Sequence, residues 1–259
     1  INLLLNVFFN PAVNAARAIA YQVNTAVSQF STNFSIASRP QIYKSYAGKD
    51  YEGMNKLVMR SCVLCFFLYS IMVFPIIVNA ELILSLWLKD VPDYSVMFTQ
   101  IVLLIGLIEC ANTPLMASAL CTTDIKKYTI CVSVLTMLNL PISYAVLKLG
   151  GGPETTMYVT AILAFINLFV RTDLISRKVP ISKILFYRLF FRVLLVSLIV
   201  LSILFYIKNL IISSIVMLFV SICISTLLII VGFSLFVITR SDFKLFLNIV
   251  RVKVLFWRR

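Results

Sequence analysis

The chain has 259 residues, of which 61% are hydrophobic and only 13% charged, and its mean hydropathy is +1.01. So few charges, segregated between long apolar runs, cannot solvate a globule of this length, which excludes a soluble domain and implies a polytopic membrane protein. The net charge of +13 would suit a nucleic-acid partner in a soluble protein, but the placement of the basic residues excludes that reading here.

In chain order, the runs between charges predict seven complete spans, at 18–38, 61–80, 94–120, 128–147, 155–170, 189–207 and 213–237. An eighth run, from Ile1 to Phe9, opens inside an apolar stretch. It has neither a basic leading region nor a small-residue cleavage site, so it reads as the end of a truncated span and not as a signal peptide. The expectation is the C-terminal part of a longer protein. Asn10-Pro11 then makes a turn and a favourable helix start.

The stretch from Asn14 to Gln41 is long enough to cross a bilayer but has the wrong chemistry for facing lipid. On a 3.6-residue period, Asn14, Arg17, Tyr21, Asn24, Ser28, Ser31 and Ser35 share one face, which Gln22, Thr25, Gln29 and Thr32 widen. Hydrocarbon satisfies none of these groups, so the face must turn to protein or water, as the wall of an aqueous cavity would. Arg17 either snorkels to the outer interface or offers its planar guanidinium to a phosphate or diphosphate. The candidate substrate-binding set is Asn14, Arg17, Tyr21, Asn24, Ser28, Gln29 and Ser31.

After Arg39-Pro40, the segment QIYKSYAGKDYEGMNKLVMR is amphipathic with a Gly48-centred turn, and is expected to lie along the cytoplasmic membrane face. The span 61–80 carries Pro75 near its outer end. ELILSLWL (81–88) reads as a short helix at the outer surface, with Trp87 and Tyr94 as interface anchors. The span 94–120 carries Glu109, with Asn112 and Thr113 one turn on. Glu109 either pairs with a cation on a neighbouring helix or, with Asn112, couples transport to a proton or Na⁺. Pro114 follows directly and predicts a kink.

Asp124, Lys126 and Lys127 cap the cytoplasmic end of that span. The span 128–147 holds Asn139 and Pro141, a second polar break, and GGGPE (150–154) is a tight outer turn. Thr160 and Asn167 lie in 155–170, after which Arg171 marks the inside. The last two spans, rich in Leu, Ile, Val and Phe, organise nothing polar on one face and read as lipid-facing. The domain reading is a helical bundle over 1–173, a basic cytoplasmic linker over 174–188, an appended helix pair over 189–237 and a basic cytoplasmic tail over 238–259.

Nineteen of the 23 Lys and Arg residues fall in alternate loops, at 39–60, 126–127, 171–192 and 240–259; the intervening loops hold only Lys89, Lys148 and Lys208. This alternation puts the C-terminus in the cytoplasm and makes the basic excess a matter of topology and anionic-lipid contact, not nucleic acid. The six cysteines all lie in or at the edge of apolar spans. Cys62-x-x-Cys65 has metal or redox spacing, but at lipid depth in a chain without histidine it reads as small apolar filler. With no His, no Gly-x-Ser-x-Gly and no P-loop, the expectation is a non-enzyme with no cofactor and no metal.

Phe9-Asn10-Pro11-Ala12-Val13-Asn14-Ala15-Ala16-Arg17 with Ala20-Tyr21-Gln22-Val23, and Arg39-Pro40-Gln41-Ile42 with Lys44-Ser45-Tyr46, resemble the opening of the second half of Wzx-type polysaccharide and O-antigen flippases of the multidrug/oligosaccharidyl-lipid/polysaccharide superfamily. The resemblance covers roughly the first sixty residues, with Asn10 and Ala18 standing where glycine is common. It implies a MATE-like fold, two six-helix lobes around a central cavity, with this chain as the second lobe plus two extra helices. The missing N-terminal lobe would be a partner. The implied activity is movement of an undecaprenyl-diphosphate-linked oligosaccharide across the bacterial inner membrane, with Arg17 suited to the diphosphate. A drug/cation antiporter of the same superfamily and a membrane-embedded glycan polymerase or ligase subunit are the competing readings.

Overall fold

The computed structural model describes residues 1–122, 125–210 and 215–236. These residues form α1 (Asn2–Phe8), α2 (Pro11–Ala47), α3 (Tyr51–Val78), α4 (Ala80–Trp87), α5 (Ser95–Cys110) and α6 (Asn112–Ala119). They continue as α7 (Lys126–Met137), α8 (Asn139–Lys148), α9 (Thr155–Ser176), α10 (Lys183–Leu210) and α11 (Ile215–Phe236). Five stretches are long and apolar enough to cross a membrane: Tyr51–Val78, Ser95–Ala119, Lys126–Lys148, Thr155–Ser176 and Lys183–Ile207. The protein is therefore an all-α, multi-pass membrane protein.

Two of the seven expected spans are not among these five. The 37 residues of α2 reach about 55 Å at the helical rise, which is ample, but its polar residues hold its hydropathy down. The expected span 213–237 falls partly outside the described residues; α11, Ile215–Phe236, covers most of it. Asp124 and the tail 238–259 also lie outside them. The two expected breaks are present. Ala111 separates α5 from α6 three residues before Pro114, and Leu138 separates α7 from α8 three residues before Pro141.

Three boundaries differ from expectation. Arg39-Pro40 does not end the polar helix: α2 runs through Pro40 to Ala47 and α3 starts at Tyr51, so 41–60 is not a separate surface segment. The reason is burial. Ile42, Met54 and Val58 are fully buried and join Met59, Cys62 and Leu115 in one core, which holds both helix ends against α6. Pro40 is exposed on its helix, where its missing N–H removes only one backbone hydrogen bond. In the turn that follows, Lys49 and not Gly48 takes the left-handed conformation (φ 58°), and Asp50 caps α3 by accepting from the Gly53 N–H at 2.9 Å. Finally, α9 continues to Ser176 and α10 begins at Lys183, leaving 177–182 as the connection, with Val179 and Ile181 buried. Asp173 ties this corner together through Arg177 (2.6 Å) and Lys183.

The helices α2, α3 and α5 pack against one another as a triangle, and α9 flanks α5. The pair α7–α8 leans on α9 and is the most exposed of the spanning stretches, presenting Ile130, Val134, Met137 and Leu140 outward. On the other side of α3, α10 and α11 dock through Val196, Val200, Leu204, Ile229 and Phe233 against Phe66, Tyr69 and Phe74. Leu195, Leu198, Ile199, Leu227 and Ile230 of that pair remain exposed, as a lipid-facing surface requires.

Candidate functional site

The polar helix is set by its first residues. Asn10 accepts from the Val13 N–H at 3.1 Å, and Pro11 stands in the first turn, where its missing N–H costs nothing. The face that α2 buries is made of small residues: Ala16, Ala20, Ser31, Ser35 and Ser38, with Val13, Val27 and Ile42. Small side chains let the backbones approach closely, which is how helices associate where lipid removes the hydrophobic drive.

One node fixes the triangle. The Tyr69 hydroxyl of α3 donates to Asn24 Oδ1 of α2 at 2.5 Å and lies 3.2 Å from the Leu103 carbonyl oxygen of α5. This crossing sits directly over Gly106, where a Cβ would land on the Tyr69 hydroxyl and 2.6 Å from Asn24 Oδ1. Glycine is required there for space, not for backbone freedom. Below the node, the Cys65 thiol of α3 donates to the Ser31 carbonyl at 3.4 Å.

The seven expected substrate-binding residues divide along this seam. Asn24 is held by Tyr69, and Ser31 is buried, its hydroxyl donating to the Ser28 carbonyl at 3.0 Å. Ser28 donates to the Thr25 carbonyl. Asn14, Arg17 and Tyr21 are half-buried. Arg17 donates to Asn2 Oδ1 of α1, and its guanidinium carbon stands 4.6 Å from the centre of the Tyr21 ring, a cation–π distance. Gln29 alone of the seven is exposed.

The polar arc continues outward from this edge. Gln22, Thr25, Gln29 and Asn33 are all exposed, and the spacing of Gln22, Gln29 and Asn33 places them on one line along the helix. Among the described residues, the amides of Gln22, Gln29 and Asn33 make no hydrogen bond to protein. Asn33 is the residue that sequence reading missed. Its signal was present, four residues beyond Gln29, but the stripe drawn through Arg17, Ser28 and Ser35 passed it by.

The expected ion-coupling pair is not brought together in the same way. Glu109, in the last turn of α5, is exposed, whereas Asn112, just past the break, is only 4% exposed, and its Oδ1 has no partner. Among the described residues Glu109 forms no ion pair with Arg171 of α9. Arg171 is half-buried and its Nε has no hydrogen-bond partner. A second polar contact joins α8 to α9, where Asn139 donates to Thr160 Oγ1 at 3.0 Å and accepts from Ser143 at 3.0 Å.

No group of three or more Cys, Asp or Glu that could hold a metal occurs among the described residues. The site is thus an exposed polar arc on α2, anchored along one edge by a three-helix node. No family model, no curated protein and no solved structure matches this chain, so this geometry stands on its own.

Proposed function

We propose that this chain is the second lobe of a flippase of the bacterial inner membrane. Its substrate is an undecaprenyl-diphosphate-linked oligosaccharide, moved to the outer leaflet by alternating access for O-antigen, capsule or exopolysaccharide synthesis. The observation that supports this best is the exposed row of Gln22, Gln29 and Asn33 on a membrane-length helix, with no protein partner for its amides among the described residues. Each amide offers two donors and an acceptor, which matches the mixed character of sugar hydroxyls. Lipid would leave these groups unsatisfied at several kcal/mol each, so water or a glycan is the fitting neighbour.

Arg17 is the residue for the diphosphate. Two of its attachments, to Asn2 and to the Tyr21 ring, are interactions that a phosphate can exchange for bidentate, charge-assisted bonds. The basic-loop pattern puts Arg17 toward the outer leaflet, which suits release there. A complementary lobe supplies the opposite wall, and Glu109 with Asn112 supplies the coupling to a proton or Na⁺.

Flipping of a labelled lipid-linked glycan in proteoliposomes tests the reading. Arg17→Ala is expected to lower flux at least tenfold, on the order of one charge-assisted hydrogen bond. Arg17→Ala with binding and flux both intact contradicts the diphosphate role. Glu109→Gln transporting at the wild-type rate at every pH removes the coupling role and leaves the flippase reading standing.

A further inference from the structure

The α5–α6 span is interrupted at Ala111, three residues before Pro114. Pro114 has no N–H to give the Cys110 carbonyl, and no side chain caps the start of α6 at Ala111. The next carbonyl, that of Ala111, is approached from another helix: the Cys62 thiol of α3 lies 3.4 Å from that oxygen. Thiols are weak donors, so a bond of this kind holds a position without locking it.

Beside this contact lies a crevice of about 20 Å³. Met59, Cys62 and Phe66 of α3, Ala111 at the break, and Phe186 and Phe190 of α10 line it. Its lining is apolar, so small shifts of the side chains at the break meet no polar group there. On one side of the break Glu109 is exposed and forms no ion pair with Arg171 among the described residues; on the other Asn112 is buried with an unpartnered oxygen. The buried Asn112 oxygen is therefore unsatisfied in this conformation, as expected where a second arrangement satisfies it better.

We propose that the α5–α6 break is a hinge whose pivot is the Cys62 thiol, and that its bending changes the separation of Glu109 from Arg171. Cys62 is a positioning residue in this scheme. Cys65, one turn away, is not part of the hinge, because its thiol bonds α2 at Ser31. The hinge does not depend on which substrate the protein carries.

The test is a distance distribution by pulsed dipolar spectroscopy on the full-length protein in nanodiscs. Spin labels are carried on unnatural amino acids at Leu104 and Leu120, both exposed and on opposite sides of the break. A straight helix would separate these positions by about 24 Å. Wild type is expected to give two components. Cys62→Ala is expected to change their ratio about threefold, the scale of one weak hydrogen bond, while Cys62→Ser keeps the wild-type ratio because its hydroxyl donates to the same carbonyl. Cys62→Val, which removes the donor and retains bulk, gives the same reading if the alanine variant does not fold. A single narrow component in wild type overturns the hinge. A wild-type ratio in the variants lacking a donor, or an equal shift in Cys65→Ala, overturns the role of Cys62.

Discussion

The two sides of α3 hold together in different ways. Toward α2 and α5 the contact is polar and interlocked, with a tyrosine hydroxyl, an asparagine amide and a glycine meeting at one point. Toward α10 and α11 it is an apolar interdigitation, in which the Phe233 ring lies 5.2 Å from Phe67 and 6.3 Å from Phe66. The first kind of contact fixes a register and an orientation. The second rests mainly on volume, with a hydrogen bond from Asn79 at the end of α3 to Ser221 of α11 at 2.8 Å. A helix with unsatisfied amides on its outer face has to be oriented, and the node at Tyr69 does that for α2; the lipid-facing pair is held mainly by apolar packing.

Substitutions on each side sharpen this contrast. Gly106→Val is expected to be the most damaging, because its side chain displaces both Tyr69 and Asn24. A loss of about 3 kcal/mol in steric-trapping or SDS unfolding, or failure to fold, is the predicted outcome. Phe233→Ala removes ring contacts on the apolar side and should cost about 2 kcal/mol in the same measurement, with glycan flux per folded molecule unchanged. Tyr69→Phe keeps the ring and removes the bond to Asn24, for an expected loss of about 1 kcal/mol. Gln29→Ala should change stability by less than about 0.5 kcal/mol, since nothing in the protein holds that amide, yet reduce glycan flux. If Gln29→Ala were as destabilising as Tyr69→Phe, the distinction between the seam and the open arc would fail.

Much of this arrangement was legible in the sequence. Long apolar runs gave the spanning stretches, and Pro114 and Pro141 gave the two breaks within a few residues. The polar face of α2 followed from its period. Which edge of that face is open did not, because a stripe of Asn, Ser and Tyr reads alike whether it meets water or the amide and carbonyl groups of a neighbouring helix. Ser31 and Asn24 went to the seam, and Gln22, Gln29 and Asn33 stayed outside. Only the position of Tyr69 and Gly106, far away in the chain, decides this. The continuation of α2 past Pro40 was illegible for a similar reason, since Ile42 is buried by Met54 and Val58 across the turn and local propensity knows nothing of them.

The central claim is that the outer edge of α2 faces water and not lipid. Single cysteines at Gln22, Gln29 and Asn33, compared with cysteines at Ile162 of α9 and Leu195 of α10, test it in a background carrying Cys131→Ser and Cys223→Ser, the two exposed native thiols. A membrane-impermeant, water-requiring thiosulfonate reagent is applied to reconstituted protein, because only a hydrated thiol ionises and reacts. The account predicts modification of the three α2 positions at least tenfold faster than of Ile162→Cys or Leu195→Cys. Equal, slow modification at all five would place α2 against hydrocarbon or another protein surface and contradict the account.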